Sequence, residues 1–205
     1  MILRARKSGT LDGMNIQGWT VGAAFVVLLG LVISRVVMLR RRGINAFLFG
    51  VTHRSDAVLV PCVLLVVYCV VAPGFSWPIW APLVAPFWVA DVPGWVGVVF
   101  CLAADAGLAW ALVSFGDSFR VGIDDRDPAA LVTTGAFAVS RNPIYVSFAL
   151  FLTGLFLVQH NLVTAVVLVA FAFIVHRQVL REEAFLRRHY GEPFDAYCRA
   201  VRRYV

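Results

Sequence analysis

Residues 142–175 read NPIYVSFALFLTGLFLVQHNLVTAVVLVAFAFIV, 34 positions without one Asp, Glu, Lys or Arg. As a single helix this run would be about 50 Å long, well beyond the ~30 Å hydrocarbon core of a bilayer. Gln159-His160-Asn161 sit at its middle, and three adjacent polar residues suit the tip of a hairpin better than the centre of a span. The run therefore reads as two connected spans, 143–158 and 162–178.

The rest of the chain follows from that hairpin. Met14 to Ser34 is 21 residues without a charge, closed by Arg35 and the Arg40-Arg41-Arg42 cluster. Arg4, Arg6 and Lys7 precede it as in a signal peptide. The apolar stretch is too long for that, and no small-residue cleavage site follows, so it reads as a retained membrane helix. Ala57 to Ala90 is again uncharged but is divided by Pro73-Gly74. Ala57–Ala72 reads as a short span. In 74–92, Pro78, Pro82 and Pro86 alternate with Trp77, Trp80 and Trp88. Prolines at that density break helices and tryptophans favour the membrane interface, so this segment belongs at the far surface. A further span runs from Pro93 to Phe115 with Asp105 inside it; 116–141 is a polar, turn-rich loop; Gly191 and Pro193 divide an amphipathic tail into Leu180–Tyr190 and Phe194–Tyr204. The expected fold class is all-α: a polytopic membrane protein of about five transmembrane helices, with a C-terminal helical hairpin and an amphipathic cytoplasmic tail. Residues 1–92 form a two-span region and 93–205 a core.

Composition agrees. The 205 residues are 60% hydrophobic and 15% charged, with a mean hydropathy of +0.82, whereas soluble domains carry about 25% charged residues. The net charge of +6 would suit nucleic acid, but its placement gives it another meaning. In the five-span scheme fifteen of the eighteen basic residues fall on one side, and the connections 74–92 and 159–161 hold none. The positive-inside rule makes that side cytoplasmic and the N-terminus external. Seventeen arginines against one lysine is the usage of a GC-rich bacterial genome, so the expected location is a bacterial plasma membrane. Cys62, Cys69, Cys101 and Cys198 form no CxxC pair and no zinc-like spacing with histidine, so neither a disulfide nor a metal site is expected.

Ionisable groups that membrane burial does not explain mark the candidate chemistry. Asp105, inside a span, fits either function or a polar helix contact. His176 and His189 flank the cytoplasmic face. A sharper constellation has two parts. Asn142-Pro143 suits a helix start, with Asn142 as N-cap and Pro143 at N1. Arg141 precedes it, Tyr145 falls one turn inside, and Leu131 to Phe137 lead up to it. Glu182-Glu183 stand where the second hairpin helix emerges, followed by Tyr190-Gly191 and Tyr197. A hairpin returns the second part to the surface that carries the first.

At Leu131-Val132-Thr133-Thr134-Gly135, Arg141-Asn142-Pro143-Ile144-Tyr145, and Glu182-Glu183 through Tyr190-Gly191 and Tyr197, the sequence resembles the isoprenylcysteine carboxyl methyltransferases and their wider relatives, the phospholipid methyltransferases. The likeness spans about Ser114 to Tyr204. It implies an integral membrane enzyme that uses S-adenosylmethionine on a lipophilic acceptor: an isoprenylcysteine-like carboxylate, a phospholipid amine or another small hydrophobic molecule. It places the cofactor among Leu131, Val132, Phe137, Arg141, Asn142, Pro143, Ile144, Tyr145, Glu182 and Glu183. Asn142 stands where the prenylcysteine enzymes carry histidine and matches the phospholipid enzymes. Gln178 stands where eukaryotic prenylcysteine enzymes have an arginine. The resemblance favours Glu182 of the acidic pair for the cofactor's polar groups; within this reading Glu182 or Glu183 pairs the ammonium and Arg141 the carboxylate. Tyr145 or Phe137 faces its cation, and His176 is the candidate base for an amine or thiol acceptor. The alternatives are an NADPH-dependent membrane reductase of the sterol-reductase type and a small non-enzymatic transporter or scaffold. Neither nucleic acid nor metal is expected.

Overall fold

The computed structural model describes residues 16–41, 80–88, 91–116 and 131–205, together with Leu64, Val67 and Tyr68. The expected span at 57–72 lies almost wholly outside the described residues, as do Cys62, Cys69 and residues 117–130 of the polar loop. The regular elements within the described residues are all helical. They are α1 (Ile16–Arg41), a single-turn α2 (Ala81–Val84), α3 (Asp91–Phe115), a 3-10 turn (Gly135–Ala138), α4 (Pro143–Gln159), α5 (Leu162–Tyr190) and α6 (Glu192–Ala200). α1, α3 and α5 are long and apolar enough to cross a membrane, and α4 is a shorter apolar helix.

α1 and α3 run parallel, the arrangement the five-span reading requires. At one end Gln17 Nε2 donates to the Asp91 carbonyl at 3.2 Å; at the other the Arg35 guanidinium donates to the Gly116 carbonyl. Gln17 also explains Gly94, because a Cβ there would lie 2.2 Å from Gln17 Oε1. α4 packs antiparallel on α3, and two glycines set the approach. A Cβ on Gly97 would come within 2.5 Å of the Gly154 carbonyl oxygen, and a Cβ on Gly154 within 2.5 Å of that of Gly97. Small residues at a crossing let helix backbones meet, which matters in lipid, where burial adds no hydrophobic drive between helices. Beside them Cys101 Sγ reaches the Phe151 carbonyl at 3.6 Å. Val21, Ala24 and Leu28 of α1 close the same core over Val98, Ala104, Leu108, Phe151 and Leu155.

The hairpin forms as its polar tip suggests. α4 ends at Gln159 and α5 begins at Leu162. Asn161 caps α5 reciprocally: its Oδ1 accepts from Thr164 N at 3.0 Å, and its own N–H donates to Thr164 Oγ1 at 3.3 Å. His160 stacks on Trp88, with ring centroids 4.5 Å apart. The His160 carbonyl accepts from Phe87 N at 2.9 Å. The Trp-rich segment and the hairpin tip thus share one end of the bundle.

Three boundaries differ from the sequence expectation. α1 continues past Ser34 through Arg41, since arginine and leucine are good helix formers. Leu180–Tyr190 is no separate tail piece but the charged half of α5, because no breaker stands between Leu162 and Gly191. At about 43 Å, α5 exceeds the hydrocarbon core and carries its charged half beyond it. Gly191, at φ +60, then ends the helix. α6 stops at Ala200 rather than running to Tyr204, for a reason found in the site.

Asp105 is buried at 9% exposure, and its Oδ1 has no hydrogen-bond partner.

Candidate active site

Three elements meet at the charged end of the bundle: the start of α4, the charged half of α5, and the segment from α6 to Arg203. Pro143 fixes the first turn of α4, with Asn142 in the N-cap position. Asn142 does not cap with its side chain, contrary to expectation. Its Nδ2 donates instead to the Arg203 carbonyl at 2.9 Å, and its own N–H donates to Ser140 Oγ at 3.1 Å.

One turn into α4, Tyr145 donates its hydroxyl to Glu182 Oε1 at 2.7 Å. Gln178, one turn before Glu182 on α5, donates its amide to the same oxygen at 2.8 Å. Arg181 in turn donates to Gln178 Oε1. Tyr145, Glu182, Gln178 and Arg181 form one polar chain across the α4–α5 groove, with Gln178 itself buried.

Glu183 points elsewhere, as adjacent residues on a helix must, about 100° apart. It is buried at 6% exposure. Arg203 forks onto it, Nε to Oε1 at 2.9 Å and Nη2 to Oε2 at 2.7 Å; Arg141 Nη2 adds a third contact at 2.7 Å. The bond to Glu183 raises the Arg203 guanidinium above its ordinary value. Arg141 spends its other terminal nitrogen on the carbonyls of Cys198, at 3.0 Å, and Val201, at 2.9 Å. Its backbone N–H takes the Arg202 carbonyl at 3.0 Å. Claiming these carbonyls side by side draws the chain out of helix after Ala200, which is why α6 ends there. Arg141 and Glu183 therefore join each other and hold the tail. The acidic pair is split, with Glu182 on the groove and Glu183 in the lock.

Phe137 is buried with Phe194 and Tyr197 in a second cluster, against which Leu131, Val132, Leu186, Tyr190 and Phe115 pack. The Tyr197 hydroxyl donates to the Phe137 carbonyl at 2.6 Å, and burial pushes its phenol up to about 12, so it stays a donor at neutral pH. Gly135 admits this turn: its φ is +62, and a Cβ would lie 2.3 Å from Ser114 Oγ, which accepts from Ala136 N at 3.0 Å. The segment holding Leu131, Val132 and Phe137 is thus tied both to the end of α3 and to α6.

Of the residues singled out from sequence, Arg141, Asn142, Pro143, Ile144, Tyr145, Glu182 and Glu183 meet at this end, with Leu131, Val132 and Phe137 in the adjoining cluster. His176 is exposed and its Nδ1 pairs with the Tyr204 hydroxyl at 2.9 Å, so the structure places it against the tail. His189 is exposed and stacks on Phe185. Sequence reasoning missed Arg203, which reads in the sequence as one more solvated cation beside Arg202. Among the described residues no group of histidine, cysteine or acidic side chains could hold a metal, and Cys101 and Cys198 are free thiols.

Residues 87–193, half of the chain, match the family model described as phospholipid methyltransferase. The chain belongs to that family. Both walls of the groove, the start of α4 and the charged half of α5, lie inside the match. Two curated relatives, each described as "Probable protein-S-isoprenylcysteine O-methyltransferase", come from Oryza sativa subsp. indica and Oryza sativa subsp. japonica. Each is 27% identical over 126 residues, which cover 58% of this chain and 63% of the relative. No solved structure matches the chain significantly.

Proposed function

We propose that the protein is an integral membrane methyltransferase that moves a methyl group from S-adenosylmethionine to a lipophilic acceptor. The observation that carries this reading is the Tyr145–Glu182 pair at 2.7 Å, set within a phospholipid methyltransferase match. The chemistry of the residues fits such a donor. Its ammonium suits the Glu182 carboxylate, its carboxylate suits the guanidinium of Arg181, and its cation suits an aromatic face. Leu131, Val132, Phe137 and Ile144 supply apolar surface beside these groups. Arg181 takes the part that sequence gave to Arg141, whose terminal nitrogens hold Glu183 and the tail.

When bound, the sulfonium supplies an activated methyl group, so the protein's work is chiefly orientation. Tyr145 and Gln178 both donate to Glu182 Oε1 and fix the carboxylate's direction before any ligand arrives. Arg141, Glu183 and Arg203 hold the two walls in register behind it. A carboxylate acceptor needs no base. For an amine or thiol acceptor, the pairing of His176 with Tyr204 argues against His176 as that base. The acceptor enters from the bilayer and the methyl donor from the charged face. That face we assign to the cytoplasm on the positive-inside rule, and on arginine usage the membrane to a bacterium.

Calorimetry of the detergent-purified protein with S-adenosylhomocysteine tests the reading. The account expects saturable binding that Glu182→Ala abolishes; a wild-type protein that binds nothing overturns it.

A further inference from the structure

Arg203 touches both walls of the groove at once. Its side chain forks onto Glu183 of α5, Nε at 2.9 Å and Nη2 at 2.7 Å. Its carbonyl accepts from Asn142 Nδ2 at 2.9 Å and from Ser140 Oγ at 3.4 Å, at the entry to α4. Tyr145 stands on one of these walls and Glu182 on the other, and their contact closes the groove between them. Glu182 and Glu183 are neighbours on one helix, so the rotation of α5 that seats Glu183 in the fork also aims Glu182 at Tyr145.

We propose that Arg203 is a positioning residue of the cofactor site, acting through Glu183 and Asn142 to set the distance between Tyr145 and Glu182. The inference rests on the methyltransferase reading and adds to it a residue outside the matched segment, which ends at residue 193. A bidentate fork restrains both the position and the plane of the carboxylate, which a single contact does not. Arg141 cannot replace it, since one of its terminal nitrogens is committed to the Cys198 and Val201 carbonyls and the other makes only one contact to Glu183. Lysine cannot replace it either, having a point charge where arginine has a planar fork.

The test is calorimetric titration of S-adenosylhomocysteine into the full chain in detergent. It compares wild type, Arg203→Ala, Arg203→Lys, Tyr145→Phe and the Arg203→Ala/Tyr145→Phe pair, with the melting temperature of each ligand-free protein recorded alongside. Arg203→Ala is expected to weaken binding at least tenfold. Arg203→Lys is expected to weaken it severalfold while keeping a melting temperature near wild type, so the inference stays testable if the alanine variant does not fold. In the Tyr145→Phe background the Arg203→Ala effect is expected to shrink by more than half, because both set the placement of Glu182, Tyr145 directly and Arg203 through Glu183. A purely structural role would lower the melting temperature and leave affinity unchanged, or give effects that simply add; either result overturns the inference and spares the proposed function. Wild-type protein that binds no S-adenosylhomocysteine overturns both.

Discussion

Tyr145 and Glu182 stand 37 positions apart in sequence and 2.7 Å apart in space, joined by a phenol-to-carboxylate hydrogen bond. The hairpin between them makes this possible: α4 leaves the charged face, α5 returns to it, and the two residues meet across the gap. Hydrogen bonds to a charged group are worth about 1.5–3 kcal/mol. Removing the Tyr145 hydroxyl by Tyr145→Phe is therefore expected to weaken S-adenosylhomocysteine binding about tenfold or more. Glu182→Gln, which removes the charge and keeps the shape, should cost more than Tyr145→Phe. Calorimetry on the two variants checks the order.

Glu183 serves stability first. Glu183→Ala would strip the counter-ion from Arg141, whose side chain is only 11% exposed. Breaking a buried pair by deleting one partner costs about 3–5 kcal/mol. Unfolding in mixed detergent micelles should show a loss of that order for Glu183→Ala. The exposed Arg187–Asp195 pair is screened by solvent, so Asp195→Ala should leave the midpoint close to wild type.

The α3–α4 crossing admits no side chain at its glycines. Gly154→Ala places a methyl where the Gly97 carbonyl and Cys101 already lie. A strain of about 1–3 kcal/mol is expected, read as a lower midpoint in the same unfolding assay. Gly22→Ala on α1, where a Cβ meets nothing within 4 Å, should leave that midpoint unchanged or raise it.

Asp105 makes the opposite prediction. Its Oδ1 is buried without a partner among Cys101, Ala104 and Leu108 of its own helix, all fully buried. Replacing a desolvated, unsatisfied group by an apolar one removes a penalty of about 1–3 kcal/mol. Asp105→Leu should raise the unfolding midpoint and keep S-adenosylhomocysteine binding. A variant that stays stable but binds none would make Asp105 part of the site.

Much of this architecture was legible in the sequence, because a bilayer sets helix lengths and punishes charge. The hairpin could be read from Gln159-His160-Asn161. Clustering of Arg141-Asn142-Pro143 with Glu182-Glu183 followed from the hairpin alone. Resemblance alone favours Glu182 of the acidic pair for the cofactor; the separate task of Glu183 was not legible. Adjacent identical residues differ only in azimuth, and azimuth is fixed by tertiary partners, here Tyr145 and Arg203. The end of α6 at Ala200 was equally hidden, since local propensity continues the helix and it is Ser140, Arg141 and Asn142, some sixty residues earlier, that claim the tail carbonyls. Asn142 looked like a cap for a local reason and was taken by a distant one.

Methyl transfer itself is the most direct test. Membranes from cells producing the protein would be incubated with S-adenosylmethionine labelled in its methyl group, and the extracted lipids then separated and counted. The account predicts a labelled, lipid-soluble product with the wild-type protein and none with Glu182→Ala. Lipid label that is absent, or equal in wild type and Glu182→Ala, would contradict it.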